Sequence, residues 1–479
     1  MFFLFFYLAI AVASAVCAVI AALHPSPYVM PAAVGFGLLA AWAVWRVLDD
    51  ESPKPWRRTK PVLKLGGYSW SERDFCRGWL ITGATGSGKT LGAINPLLWQ
   101  ITQNCPGWGG LLIDDKGFYR ETLSAMFRHS GREKDLVFLQ VRPGGAPSSW
   151  TPPDTFNFLD DSRLSWSAKA KEVCAVAVAL GIRPDGNQPI VPEQVRQAES
   201  RMEFAFRVLA CAGLPVTLAC AHELFASDSL MARIIERLEG EDPDEARLLK
   251  KQCEAQAGSR LSEPERTLRG LLCAWLKPFV TPEIARVFCP EKESTVSLKS
   301  IDRGKVICVS IPQRFGPERR FVHTLLKRLF YSHALMRFDC LAEERRHNNL
   351  LVLWADEAQK ILPSCDDGTS DYNQLEVMRE ARVSMVEAVP SCSSLVAPGG
   401  GDGNTVAAFL AGHANRVTFR AANEESARIT AEWCHPDPDE LCQLGKFEAI
   451  VQHCETMPAF RRVTLPPRGA DGETPEWYR

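Results

Sequence analysis

Between Gly83 and Thr90 the chain reads Gly-Ala-Thr-Gly-Ser-Gly-Lys-Thr, which fits G-x-x-x-x-G-K-[ST] at every fixed position. Ahead of it, Gly78-Trp79-Leu80-Ile81-Thr82 is a short apolar run that predicts a buried strand. Behind it, Leu91-Gly92-Ala93-Ile94 holds no breaker until Pro96, so a helix is expected to start at the lysine. A glycine-rich turn alone is compatible with a purely structural role. Strand before and helix after is the context that a phosphate-binding loop requires. The glycines let successive N–H groups curl inward, and the helix N-terminus adds partial positive charge at the same place. Gly83, Ala84, Thr85, Gly86, Ser87, Gly88, Lys89 and Thr90 are therefore the expected cradle for the phosphates of ATP. Lys89 is expected to bridge the β- and γ-phosphates, and the Thr90 hydroxyl to ligate Mg²⁺.

A loop of this kind needs acids on another strand. Leu350-Leu351-Val352-Leu353-Trp354-Ala355-Asp356-Glu357 is an apolar strand ending in two of them. That strand is expected beside the loop's own strand. Asp356 would then serve as a metal ligand, and Glu357 would polarise the attacking water. Strand ends often carry acids; the intact loop upstream is what gives this pair meaning. The long separation of Lys89 from Asp356 predicts an insert between them.

The intervening sequence has that character. Strand signals at Gly109–Ile113 and Leu136–Leu139 continue an α/β domain with a mostly parallel central sheet. From about 165 to 280 the chain then turns almost wholly helical. Strand signals resume at Gly304–Ile311, Asn349–Ala355, Ser384–Val389 and Arg416–Phe419, with an edge pair at Phe447–Val451 and Arg461–Thr464. A long helix is expected over Pro317 to about Arg345.

The opposite end of the chain is different again. Residues 2–22 and 28–45 carry no charge, and each is long enough to cross a hydrocarbon core of roughly 30 Å. His24-Pro25-Ser26-Pro27 makes a turn between them. No positive charge precedes the first run, as a signal peptide would require. Arg46, Lys54, Arg57, Arg58, Lys60 and Lys64 follow the second, so the positive-inside rule puts this flank and both ends of the hairpin in the cytoplasm. The expected segments are a transmembrane hairpin at 1–48, a basic linker at 49–64 and a first nucleotide-binding part at 65–164. An all-α insert at 165–280, a second nucleotide-binding part at 281–466 and a loose tail at 467–479 complete the chain.

The net charge of -2 excludes a uniformly basic coat for nucleic acid, though not a local basic channel. Sixteen cysteines contain no C-x-x-C spacing. Singles such as Cys174, Cys211, Cys220 and Cys308 lie in apolar runs and read as small core residues, a usage that suits a reducing compartment.

In order along the chain, the hairpin, the phosphate loop, an Asp-x-Lys-Gly turn at Asp114–Gly117 and Phe156-Asn157 precede the helical insert. The Asp356-Glu357 strand, Asn415–Arg420 and Glu424 to Ile429 follow it. That order resembles the type IV secretion coupling proteins, the TraG- and TraD-like conjugative DNA-transfer ATPases of the FtsK–HerA class. The resemblance implies a homo-hexamer at the bacterial inner membrane, multi-pass, with the bulk of the chain cytoplasmic. It also implies partners: relaxase-bound single-stranded DNA or protein secretion substrates, type IV secretion channel components, and membrane lipid. It places an arginine finger, reaching a neighbour's γ-phosphate, at Arg379, with Arg382 an equal competitor. The family's glutamine at the end of the next strand falls on Pro390, which can donate no hydrogen bond. The loop between the two membrane runs is also far shorter than the family usually has.

The densest basic cluster of the motor part is Arg314, Arg319, Arg320, Lys327 and Arg328, a candidate for contact with DNA phosphates, although most such clusters are simply solvated faces. Two functions remain in view: an ATPase driving DNA or protein into a secretion channel, and a nucleotide-gated docking platform with little or no hydrolysis.

Overall fold

The computed structural model describes residues 61–117, 119–183, 190–238, 243–257, 262–345, 347–362, 374, 377–395, 403–434, 436–455 and 460–467. The two apolar runs expected to form a membrane hairpin lie outside them. Among the described residues no helix is long and apolar enough to cross a membrane.

Two three-residue strands, β1 (Leu63–Leu65) and β2 (Tyr68–Trp70), form an antiparallel hairpin. No strand was expected here, and β1 begins inside the segment expected as linker. Its inward side chains, Leu63 and Trp70, are fully buried. The hairpin is fixed by Asn415, whose side chain accepts from Trp70 Nε1 at 2.8 Å and donates to the Asp74 carbonyl at 2.8 Å.

The centre is a nine-stranded sheet. Its strands are β3 (Trp79–Thr82), β4 (Gly109–Asp114), β5 (Leu136–Gln140), β6 (Val306–Ser310), β7 (Leu351–Asp356), β8 (Val383–Val389), β9 (Asn415–Phe419), β10 (Glu448–Gln452) and β11 (Phe460–Thr464). They lie in the order β5-β6-β4-β7-β8-β3-β9-β10-β11. Every pairing from β5 through β9 is parallel, while β10 and β11 close one edge antiparallel. Most of these strands were legible because they are short apolar runs between glycine, proline and charged turns, whereas β11 is largely exposed and carries two arginines.

Alternation sends successive side chains to two faces. Leu80, Leu111, Ile113 and Leu353 pack into one core, and Trp79, Ile81, Leu112 and Trp354 into the other. The first face is covered by the helix Gly316–Leu335 and by the helices that fill the chain between β5 and β6. Those helices include Trp166–Ala179, Pro192–Cys211, Leu218–Ala226 and Glu263–Leu276. Their Val173, Phe206 and Trp275 share a continuous core with Phe321, Leu325 and the sheet. Asn157 ties this helical region on, donating to the Val216 carbonyl at 2.9 Å and to Asp160 at 2.8 Å. The expected helix from Pro317 to about Arg345 is shorter: its regular part ends at Leu335 and gives way to a 3₁₀ turn over Met336–Phe338.

The other core holds the helix Asn95–Asn104 and the helix Tyr119–His129. Between the phosphate loop and Asn95, residues Thr90–Ile94 take a wide π turn, in which the Asn95 amide bonds back to the Thr90 carbonyl. Pro96 follows at once, and the wider turn absorbs its missing amide donor.

The basic cluster of the motor part is mostly interior. Arg319 pairs with Asp115 at 3.0 Å and Arg328 with Glu172 at 2.8 Å, while Lys327 is fully buried with its ammonium 6.0 Å from the Tyr331 ring centre. Charge density along the sequence could not reveal acids supplied from other elements. Only Arg314 and Arg320 of the five are exposed. Among the described residues the cysteines are free thiols, most of them wholly or partly buried, and no group of residues is arranged to hold a metal by itself.

Candidate active site

Because the parallel strands are in level register, their C-terminal ends line one edge. Thr82 of β3 lies opposite Val389 of β8, Ala388 opposite Asp356 of β7, and Asp114 of β4 opposite Ser310 of β6. This edge is where a parallel sheet presents loops and helix N-termini to a ligand.

The loop leaving β3 is held from behind. The Ala84 amide donates to the Arg420 carbonyl at 2.8 Å, and the Phe447 amide to the Ser87 carbonyl at 2.9 Å. Gly83 and Gly88 have φ of 147° and 111°, and a Cβ on Gly88 would sit 2.5 Å from the Phe447 ring. Phe447 itself is left-handed at φ 66°. Nothing in the sequence between Gly83 and Thr90 foretold this clamp, whose parts come from the far end of the chain. The Ser87 hydroxyl is buried without a partner, and the Lys89 ammonium folds back onto the carbonyls of Gly83 and, at 3.2 Å, Ala84. Burial lowers the Lys89 pKa, as does the nearby Lys116, against the pull of Asp356 and Glu357. A glycine-rich turn, an unpartnered hydroxyl and a lysine on a helix start fit a phosphate chain.

The acids reach this loop differently from expectation. β7 is not the neighbour of β3; β8 lies between them. Strand adjacency depends on which crossover connects which pair, and apolar runs carry no record of it. The end of β8 is Val389-Pro390-Ser391, so the central position of the edge has no side-chain or amide donor at Pro390. Asp356 and Glu357 remain in electrostatic reach of Lys89 across that strand.

What joins the two halves is Lys116, from the turn after β4. Its ammonium lies 3.0 Å from Asp356 Oδ2 and 3.0 Å from Glu357 Oε1. The turn itself is built by Asp114, which accepts from the Gly117 amide at 2.8 Å and from the Tyr119 amide at 2.9 Å, starting the next helix. Buried Tyr119 lies within electrostatic range of the acids. Burial raises its phenol pKa well above the usual value, Asp356 and Asp114 add to that, and Thr90 opposes it.

Glu357 is left-handed at φ 58°, a costly conformation for a non-glycine residue. Its Oε2 accepts from Gln359 Nε2 at 2.8 Å. Burial pushes its pKa up, but the Gln359 and Lys116 bonds outweigh that and hold the carboxyl below its ordinary value. Glu357 is thus an ionised carboxylate at neutral pH, held by Gln359 and Lys116.

Arg379 and Arg382 lie at the opposite edge, just before β8 begins. Arg379 pairs with Glu380 at 3.1 Å and is part-exposed. Arg382 donates to Glu72 at 2.9 Å and packs the hairpin region onto the sheet. Neither enters the site.

No family model matches the sequence, and no curated protein matches it. Solved structures do. The plasmid coupling protein TrwB in complex with ADP and Mg²⁺ aligns with a TM-score of 0.58 at 15% identity, covering 89% of this chain and 93% of TrwB. TrwB in complex with the non-hydrolysable analogue ADPNP aligns at 0.57 and 13% identity, over 88% of this chain and 92% of that one. The fold is that of a conjugative coupling protein. VirB4 of Thermoanaerobacter pseudethanolicus aligns more loosely, at 0.50 and 14% identity over 82% of this chain and 89% of VirB4. The coupling-protein fold therefore extends over both the sheet and the helical region, well beyond the phosphate loop.

Proposed function

We propose that this chain is a membrane-anchored ATPase of the type IV secretion or conjugation class, driving single-stranded DNA with its relaxase, or a protein substrate, into a secretion channel. The observation that carries the reading is the convergence of Lys89, Lys116, Asp356 and Glu357 at one edge of the sheet. TrwB, the protein whose fold this chain shares, has been crystallised with ADP and Mg²⁺. Gly83–Thr90 cradle the phosphates, Lys89 leaves the Gly83 and Ala84 carbonyls to bridge them, and Thr90 with Asp356 hold Mg²⁺. Mg²⁺ held there would supply charge neutralisation for the phosphates. Lys116 is a monovalent stand-in on the same carboxylates and gives way when the metal arrives. Glu357 takes the proton of the attacking water.

Arg379, remote from its own site, acts on the site of a neighbouring copy in a homo-hexamer. The apolar runs 2–22 and 28–45 supply the anchor at the inner membrane, and the helical region at 165–280 forms a cargo-facing domain. The testing experiment is Mg²⁺-dependent ATP hydrolysis by the full chain, with and without single-stranded DNA, for wild type and Lys89→Ala. Turnover that rises with DNA and vanishes in the variant supports the reading; ATP binding with no turnover under either condition defeats it.

Pro390 favours a second reading. With no donor at the end of β8 to sense a γ-phosphate, the chain would work as a nucleotide-gated docking platform. ATP binding without hydrolysis, together with cargo capture that disappears when residues 165–280 are removed, is its signature.

A further inference from the structure

On the far side of Asp356 and Glu357 from the phosphate loop, a cavity of about 290 Å³ is lined by Asp115, Arg319, Arg320, His323, Gln359 and Lys360. Three cations meet one carboxylate here. Asp115 accepts from Arg319 at 3.0 Å and from Lys360 at 2.6 Å, which leaves an excess of positive charge. The helix starting at Gly316 points its N-terminal turn at the same space.

Several buried polar atoms of these residues have no partner: Arg319 Nη1, both ring nitrogens of His323, and Gln359 Oε1. His323 is fully buried, and Arg319 is more than nine-tenths buried. Native interiors rarely leave such groups unpaired, so a cluster of four around a cavity marks a ligand. Burial lowers the His323 pKa to about 3, so at pH 7 the ring offers one N–H and one bare nitrogen.

We propose that this cavity binds inorganic phosphate. The guanidinium of Arg319 and the charges of Arg320 and Lys360 attract an oxyanion of that size. The bare His323 nitrogen and Gln359 Oε1 are acceptors, and they need a ligand that also carries O–H. Inorganic phosphate has both; a phosphodiester of a nucleic-acid backbone has only acceptors. Gln359 ties the cavity to the acids, because its Nε2 holds Glu357 Oε2 at 2.8 Å. Resting on the ATPase reading, the cavity is a holding site for the phosphate that hydrolysis releases, reporting its presence to Glu357.

The test is phosphate binding to the full chain by calorimetry, with the phosphate loop saturated by ADP and Mg²⁺. Wild type and Lys89→Ala are expected to bind inorganic phosphate equally. His323→Leu and the surface variant Arg320→Ala are expected to bind it about tenfold more weakly or not at all, at unchanged Tm. A single-stranded oligonucleotide is expected not to displace it. Absence of phosphate binding under ADP, equal binding by Arg320→Ala, or displacement by the oligonucleotide would each overturn the proposal. Binding is read without turnover, so a chain that binds phosphate here yet hydrolyses no ATP would sink the ATPase reading and leave the site standing.

Discussion

The Lys116 ammonium lies 3.0 Å from Asp356 Oδ2 and 3.0 Å from Glu357 Oε1, so one lysine pairs with both acids of the site. Without it, the two carboxylates would keep only the more distant charges of Lys89 and Lys360. The Lys116→Met variant is therefore expected to bind Mn²⁺ in the absence of nucleotide about tenfold more tightly than wild type, and to raise the Glu357 pKa. Paramagnetic titration of the nucleotide-free chain measures the first effect. Unchanged Mn²⁺ affinity would mean that the lysine does not guard the metal position.

The loop's packing separates two glycines that look alike in sequence. A Cβ on Gly88 would meet the Phe447 ring at 2.5 Å, whereas a Cβ on Gly86 meets nothing within 4 Å. Both have positive φ, so each alanine costs backbone strain, on the order of 1–2 kcal/mol. Gly88→Ala adds an overpacking cost of about 1–3 kcal/mol and displaces the clamp. It is expected to lose ATP binding and several degrees of Tm, while Gly86→Ala keeps its fold. Thermal melts and nucleotide titration of the pair check this.

The sheet and its phosphate loop were legible because both depend on local chemistry: apolar runs, glycine turns and a helix start. What the sequence withheld is spatial. The place of β8 between β3 and β7 follows from crossovers, and the Phe447 clamp from a strand more than 350 positions downstream of Gly88. Lys116 was visible in its turn, but its bond to acids 240 residues away was not. Arg319, Lys327 and Arg328 looked like a surface because Asp115 and Glu172 lie far from them in sequence.

Burial of that cluster changes what its mutation does. Arg328→Met leaves Glu172 with only the Ser332 hydroxyl and is expected to destabilise the fold by about 2–4 kcal/mol. At a temperature where the variant remains folded, its affinity for single-stranded DNA is expected to equal that of wild type. Denaturant unfolding alongside a DNA-binding titration separates the two; intact stability with lost DNA binding would restore the channel role.

Stability at low pH has its own marker. Asp302 lies 2.9 Å from His333 Nε2 and accepts from Arg337 at 2.6 Å. Burial raises its pKa, but the His333 and Arg337 bonds and charges prevail and bring it from 3.8 to about 2. A depressed carboxylate stabilises the fold fully above its unfolded value and loses that contribution as pH falls through the folded one. The Tm advantage of wild type over Asp302→Asn is thus expected to hold above about pH 4 and to shrink between about 4 and 2. A constant difference across that window would remove Asp302 from the account.

Arg379 sits at the edge of the sheet opposite its own acids. If it serves a neighbour, mixing Lys89→Ala with Arg379→Ala, each inactive alone, restores part of the ATPase activity, because mixed rings contain complete sites. Assay of the mixture against the separate variants reads this; no recovery, in mixtures shown to co-assemble, rules out a shared site.

The central claim is that the phosphate loop and the Asp356–Glu357 pair form a single hydrolytic site, and the Glu357→Gln variant tests it most directly. ATP binding and Mg²⁺-dependent turnover are measured on the same full-length sample. The account predicts binding within about twofold of wild type and turnover at least about 100-fold slower. Hydrolysis by Glu357→Gln at the wild-type rate would contradict it.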